Sequence, residues 1–272
     1  MSKYRFLDEN KEHIHQIDRG QGWENLYGTT TAIDETLQKG GLTWWASSMA
    51  VGTMGWLNPK KFEKETRLDS AAKSLFAIKT MDSDQYLDLL DEAYKSHNTK
   101  KLSRAKEGID LHELAEEYIK YVMGGKSPNR EGNKIELLVP FIKWCDKNVK
   151  RFLFSEIHAF SEKLWVGGKL DFGAELVNGD YILADIKSRD SDYLSDHIQC
   201  GFYDLQLSES KEGYDKDGNV VWKMERPFDK HAIFTLGEKF TEPKFSESVS
   251  MNKEGAIHTL ALYKIKQRFE ND

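Results

Sequence analysis

The stretch from Gly168 to Lys187 constrains the fold most, because it reads as two strands joined by a turn at Asn178–Gly179. A two-residue loop would put the apolar residues of the two strands on opposite faces. A three-residue loop, Val177 to Gly179 with Gly179 left-handed in a bulge, gives one continuous apolar face. That face would contain Leu170, Phe172, Ala174, Leu176, Ile182, Ala184 and Ile186. We therefore predict the three-residue loop.

The predicted register brings acidic residues together on the other face of the hairpin. Asp171 lies across from Asp185 with Cβ atoms about 5 Å apart, and Lys187 stands two residues along the same strand. Two carboxylates about 5 Å apart repel by roughly 3 kcal/mol at an effective dielectric near 20, unless a cation bridges them or a proton is taken up. An all-oxygen site with open positions suits Mg²⁺ or Mn²⁺.

Such a site is equipped for phosphodiester hydrolysis. A metal binds a phosphate oxygen and lowers the pKa of a bound water. Lys187 can orient or deprotonate that water and offset the charge that develops on the phosphate. Taken alone, however, the D…D-x-K pattern more often marks two strand-end aspartates beside a surface lysine.

Four further residues are candidates for the same centre. Glu156 lies on the preceding predicted strand, opposite in direction to its apolar neighbours. His112 flanks the apolar stripe of a predicted helix, and imidazole suits Mn²⁺ better than Mg²⁺. Gln199 and Tyr203 are one helical turn apart and share a face. Each of the four, taken alone, has a more ordinary structural explanation.

Taken together, these residues resemble the motifs of the PD-(D/E)XK nuclease superfamily. Their order is Gly108-x-x-x-His112, Glu156, Gly168-x-x-Asp171, Asp185-Ile186-Lys187 and Gln199-x-x-x-Tyr203. The chain is similar to the RecB-like branch, which includes phage exonucleases, CRISPR-associated adaptation nucleases and mitochondrial genome-maintenance exonucleases. A segment similar to the N-terminal element of phage-type members contains Gly28-Thr-Thr-Thr-Ala-Ile33, Leu37-x-Lys39 and Leu42-x-x-Trp45. The resemblance covers most of residues 25 to 205.

The resemblance implies an α/β (α+β) fold with a restriction-endonuclease-like mixed β-sheet flanked by helices. The metal ligands that it implies are His112, Asp171, Asp185 and the backbone carbonyl of Ile186. Catalysis would then fall to Asp171, Asp185, Lys187 and Glu156, with Gln199 and Tyr203 closing the site against the substrate. Many RecB-like members carry four cysteines for an iron–sulfur cluster. This chain has 2, so we expect Mg²⁺ or Mn²⁺ and no iron–sulfur cluster.

We expect a single nuclease domain over residues 1–272. It would have a mainly helical N-terminal lobe over 1–150, a catalytic β core over 151–240 and a C-terminal helix over 241–272. Periodicity and turn signals predict the elements. They are helices between about 60 and 123, a helix over 132–150, strands over 154–187, a helix over 191–206, a hairpin over 219–237 and a helix over 250–269. Trp44, Trp45 and Trp56 are expected mainly in the core, with base stacking as the alternative.

The charge distribution limits where nucleic acid can bind. A formal net charge of -6 argues against coating nucleic acid with the whole surface. Between Lys95 and Lys106, however, the chain has basic residues and no acid, and Lys100, Lys101 and Arg104 are candidates for substrate binding. A solvated helix end is the equal alternative. No apolar run approaches the roughly 20 residues of a membrane span, and the polar N-terminus does not resemble a targeting peptide. We therefore expect no membrane partner and a cytoplasmic location, in bacteria or a phage-infected host.

We expect a divalent-metal-dependent DNA exonuclease that acts on single strands or duplex ends in phage or bacterial recombination or replication, with a recombination protein as a partner. Two alternatives stay open. One is a structure-specific or restriction-type endonuclease. The other is a catalytically silent DNA-binding module, which is less favoured because Asp171, Asp185 and Lys187 are all present.

Overall fold

The structure is a computed structural model that describes residues 3–9, 12–37, 42–125, 135–237, 240, 242–246 and 248–271. The chain divides into two compact units, and the single domain expected over residues 1–272 stays a prediction. Met1–Gln38 and Gly108–Asp272 make the first unit, and Lys39–Glu107 makes the second. The fold is mixed α/β, with helices flanking a mixed sheet, which confirms the predicted class.

The elements of the described residues have the following bounds. The strands are β1 (Lys3–Glu9), β2 (Glu12–Asp18), β3 (Trp23–Asn25), β4 (Tyr27–Gly28), β5 (Val149–Ser161), β6 (Val166–Leu176), β7 (Tyr181–Lys187), β8 (Glu212–Tyr214), β9 (Val220–Lys223), β10 (Lys230–Thr235) and β11 (Lys244–Phe245). The helices are α1 (Thr29–Thr36), α2 (Leu42–Thr53), α3 (Lys64–Thr80), α4 (Ser83–Val122), α5 (Ile135–Asn148), α6 (Leu194–Ser210) and α7 (Val249–Asn271).

The large sheet has the order β11-β10-β7-β6-β5-β8-β9, and β4 adds to β6. β7 pairs in parallel with β10 and antiparallel with β6. Because β7 lies inside the sheet with both faces covered, its residues are apolar almost throughout. The last turns of α4 and helix α5 pack on one face through Leu111, Ala115, Ile119 and Phe141. Helix α6 packs on the other face through Tyr203 and Leu207.

The β6–β7 hairpin has the predicted register. Leu176 N donates to Asp180 O at 2.8 Å, and Gly179 has φ 89°, so the loop is the three-residue one. Phe172, Ala174, Leu176, Ile182, Ala184 and Ile186 join one buried cluster, as expected. Leu170 does not, because the ladder with β7 ends at Phe172, before β6 reaches Leu170. Leu170 packs instead with the cluster under α6.

The N-terminal residues form strands that the sequence pattern did not predict within the mainly helical region 1–150. β1, β2 and β3 form a separate antiparallel sheet. Its Tyr4, Ile17 and Leu26 pack against Phe160 of β5. The strands are short and rich in charged residues, and only alternate positions are buried. Their apolar signal is therefore weak.

The prediction of a hairpin over 219–237 was wrong. β9 pairs with β8 around the Asp217–Gly218 turn, where Gly218 has φ 86°. β10 pairs in parallel with β7, from Lys230 beside Ile182 to Thr235 beside Lys187. The three-residue β8 is too short to recognise by periodicity, so the turn signal was assigned to the wrong pair of strands.

The second unit contains α2, α3 and the first part of α4. Helices α3 and α4 confirm the helical prediction over 60–123 from Lys64 to Val122, apart from a break at residues 81–82. Trp44 is 80% exposed and Trp56 is 37% exposed, which goes against the expectation that most of the three tryptophans pack into the core. α3, all of which is described, has no buried residue. Among the described residues, no helix is both long and apolar enough to cross a bilayer.

Candidate active site

Asp171 occupies the point where β6 and β7 separate. The last ladder pair is Phe172 with Ala184, and the next backbone donor of β7 finds no carbonyl of β6 in register. Asp171 Oδ2 accepts that hydrogen bond instead, from Ile186 N at 2.6 Å. The side chain thereby replaces a backbone acceptor, and it satisfies a donor that burial would make costly to leave alone.

Asp185 is a buried carboxylate on β7, with 1% of its surface exposed. Burial raises its pKa most; the neighbouring Asp171 carboxylate adds to this and Lys187 opposes it, so the pKa of Asp185 is raised to about 7. Lys187 Nζ lies 2.7 Å from Oδ2. Apart from that ammonium, no described residue donates a hydrogen bond to this oxygen. A second cation would complete its surroundings.

Lys187 is held as a cation by its neighbours. Burial opposes the charge, but the carboxylates of Asp185 and Asp171 outweigh burial and raise the pKa of Lys187. Its Nζ donates to Gln199 Oε1 at 3.0 Å, and Gln199 Nε2 donates to Tyr203 Oη at 2.6 Å. The two polar residues predicted to share a face of α6 therefore form a chain that orients the ammonium group.

Local features of the sequence let α6 approach the strands. Gly168 is needed because a Cβ there would lie 2.6 Å from the ring of Tyr203. At the start of α6, Asp196 Oδ2 accepts the hydrogen bond of Tyr193 N at 2.8 Å and pairs with Arg189. This cap begins the helix so that its next turn carries Gln199 over the end of β7.

His112 approaches the site from α4. Its Nδ1 lies 3.8 Å from Asp171 Oδ2, and its side chain is about one-third exposed, so the imidazole is open to a ligand. Glu116 follows one turn later on the same helix face, and sequence reasoning missed it. Its spacing of four residues from His112 is the signal that could have found it.

Glu156 belongs to a cluster with Lys169 and Glu116. Its φ is 47°, and it contacts Lys169 Nζ at 2.5 Å and Glu116. Burial and the hydrogen bond with Glu156 raise the pKa of Glu116. Burial opposes the charge of Glu156, but Glu116 and Lys169 lower its pKa. The predicted role of Glu156 in the same centre as Asp171 stays a prediction.

The basic strip on α4 is described only in part. Lys95 at its start pairs with Asp91 at 3.1 Å. The side chains of Lys100, Lys101 and Arg104 lie outside the described residues, although the helix backbone continues through them. Their predicted contact with substrate stays a prediction.

The donors at this site fit a hard cation. Across the described ranges, no three His, Cys, Asp or Glu side chains are already grouped around a metal position. Asp171 and Asp185 nevertheless offer carboxylate oxygens, one of them buried with only an ammonium beside it. Mg²⁺ needs little more from protein, because it binds through one or two carboxylates and keeps several waters. Mn²⁺ accepts the same oxygens and also imidazole nitrogen.

No protein-family model matches the chain, and no curated protein matches it either. The resemblance to the PD-(D/E)XK nucleases therefore rests on the motif residues themselves.

Proposed function

We propose that this chain is a divalent-metal-dependent DNA exonuclease of the PD-(D/E)XK type. One observation carries the proposal. A buried carboxylate, Asp185, meets Asp171 and Lys187 where two strands separate, and Gln199 holds the lysine in place. Such a cluster is costly to bury without a ligand, which favours a functional over a structural role.

The site residues have different proposed roles. Asp171, Asp185, His112 and the carbonyl of Ile186 would hold Mg²⁺ or Mn²⁺. The bound metal supplies a polarised phosphate oxygen and a water of lowered pKa. Lys187, kept protonated by its carboxylate neighbours, donates hydrogen bonds and offsets negative charge on the phosphate. Its raised pKa makes orientation of the water a better role for it than deprotonation.

The proposal is tested with end-labelled single- and double-stranded DNA in Mg²⁺, Mn²⁺ or EDTA. We expect wild-type cleavage in either metal, none in EDTA, and a loss of about a hundredfold or more in Asp185→Asn and Lys187→Met. Asp180→Asn is the matched control, because it makes the same change at the loop end of the same hairpin. Unchanged metal-dependent cleavage in Asp185→Asn would show that the site assignment is wrong.

The topology of the substrate separates the exonuclease from its alternatives. An exonuclease degrades linear DNA and leaves covalently closed circles intact, whereas an endonuclease of the restriction or structure-specific type cuts the circles. A silent binding module retains DNA without cutting it in any metal. The role in phage or bacterial recombination or replication and the recombination partner belong to the same proposal and come from the resemblance alone. The cytoplasmic location is proposed with them.

A further inference from the structure

A second concave surface lies between the N-terminal sheet and the edge of the large sheet. It is a cleft of about 700 Å³, and the described residues that line it include none of those in the candidate active site. Its walls come from β1, β3, the ends of β5 and α6, and the β8–β9 turn. The volume lies within the ordinary range of small-molecule and side-chain binding sites.

One wall of the cleft is aromatic. Tyr4 and Phe160 are only 3% and 7% exposed and stack on each other with centroids 5.1 Å apart, so their faces are covered, and the lining rings with exposed surface are those of Trp23 and the half-buried Tyr214. Trp23 is 38% exposed, and the guanidinium of Arg5 already lies over its ring at 4.1 Å. The negative faces of such rings attract cations, so this wall is suited to an ammonium or guanidinium group.

The other wall is acidic. Four carboxylates line the cleft, those of Glu162, Glu209, Glu212 and Asp217, against the single ammonium of Lys3. Glu209 is fixed by Ser161 and two backbone N–H groups, and Glu212 faces Lys223 at 3.3 Å. Glu162 and Asp217 are exposed, and neither has an ion pair among the described residues. Their charges are therefore open to a ligand, and they disfavour any phosphate.

The acidic wall is also rigid. Asp215 Oδ1 accepts hydrogen bonds from Asp217 N at 2.9 Å and Asn219 N at 2.8 Å, which fixes the β8–β9 turn. Phe6 N donates to Lys216 O at 2.9 Å and ties this turn to β1. Gly218 permits the contact, because a Cβ there would lie 1.9 Å from the Tyr4 carbonyl oxygen. The cleft is thus formed before any ligand arrives, which lowers the entropy cost of binding.

We propose that this cleft binds an organic cation, an alkylammonium or guanidinium group, carried by a free polyamine or by a Lys or Arg side chain of a basic peptide. The aromatic wall distinguishes such a cation from a metal ion, since the rings supply no metal ligand. The acidic wall disfavours nucleic acid as the ligand, because its carboxylates repel phosphate groups. The inference does not depend on nuclease activity, because binding is measured without DNA.

The test is calorimetric titration of the full chain with spermidine and, separately, with acetyl-trilysine amide. We expect binding that becomes about tenfold weaker in Glu162→Gln/Asp217→Asn. Glu136→Gln/Glu254→Gln is the matched control, because it removes two exposed charges from α5 and α7, which do not line the cleft. The control should bind like the wild type. The probe that binds more tightly identifies the source of the cation.

Three outcomes overturn the proposal. In the first, neither probe binds. In the second, both double variants lose affinity equally, which would mean that the probes respond to the overall negative charge of the protein and not to the cleft. In the third, low-millimolar MgCl₂ displaces spermidine far more effectively than NaCl of the same ionic strength, which would make the cleft a divalent-metal site. Tyr214→Leu adds a check on the aromatic wall and should weaken both probes without a change of net charge.

Discussion

Replacing Lys187 by methionine removes the ammonium that lies beside the buried Asp185 carboxylate and keeps most of the side-chain volume. Lys187 is 17% exposed, and its Nζ lies 2.7 Å from Asp185 Oδ2. Two unit charges at that separation attract by about 6 kcal/mol at an effective dielectric near 20. Asp185 already has a pKa of about 7 with the lysine present. In Lys187→Met it should take up a proton at still higher pH, which limits the loss of stability.

The pH dependence follows from the direction of that shift. An acid whose pKa is higher in the folded than in the unfolded state binds the extra proton when folded, so stability falls as pH rises between the two values. For wild-type Asp185 this window runs from the ordinary aspartate pKa of 3.8 to about 7. In Lys187→Met the window extends upwards. Above pH 7 the variant should therefore lose up to about 1.4 kcal/mol per pH unit relative to the wild type.

Urea denaturation in EDTA at pH 6, 7, 8 and 9 measures this difference. Near pH 6 the two proteins should be closest in stability, because the Asp185 carboxyl is protonated in both. The double variant Asp185→Asn/Lys187→Met has no charge to lose and should not show the added pH dependence, and together with Asp185→Asn it completes a double-mutant cycle. Parallel wild-type and Lys187→Met curves from pH 6 to 9 would refute the argument that this ion pair governs the charge of Asp185.

Three further predictions concern other parts of the molecule. Glu156→Gln should reduce DNA cleavage less than Asp171→Asn in the end-label assay, and an equal loss would place Glu156 in the metal site. Gly201→Ala should lower the free energy of unfolding in urea by roughly 3 kcal/mol, because its Cβ would lie 2.1 Å from a carbonyl of α7, whereas Gly52→Ala in open space should not. Burial lowers the pKa of His158 to about 4. Because the unfolded chain then binds more protons, stability should fall by about 1.4 kcal/mol per unit below pH 6.5, and His158→Phe should flatten acid unfolding.

The part of the site that lies on the hairpin was predictable because burial selects a single register. Only the three-residue loop gathers Phe172, Ala174 and Ile182 on one face, and that choice carries Asp171 and Asp185 to the same place. Gln199 and Tyr203 follow from helical spacing alone, and α6 brings both to Lys187. In each case the information is local, within about twenty residues of chain.

The rest depends on contacts between distant segments. No sequence signal shows that Glu156, which is not a glycine, adopts φ 47° and turns to Lys169. The parallel pairing of β10 with β7 joins segments separated by the whole of α6, β8 and β9. The spacing of Glu116 from His112 is visible in the sequence, but its hydrogen bond with Glu156 of β5 is not. Periodicity identifies a buried face but not the element that covers it.

The separation of β6 from β7 accounts for the existence of the site. A ladder that continued past Phe172 would satisfy Ile186 N with a backbone carbonyl and would leave Asp171 no donor to accept. Instead, the strands part, the Asp171 carboxylate takes that hydrogen bond, and its charge is held close enough to Asp185 to raise that residue's pKa. β7 remains anchored by β10 on its other side, so the gap does not spread along the strand. The sheet thus holds β7 rigidly on one edge and places two mutually repelling carboxylates on the other. The proposed metal-dependent phosphodiesterase requires this combination.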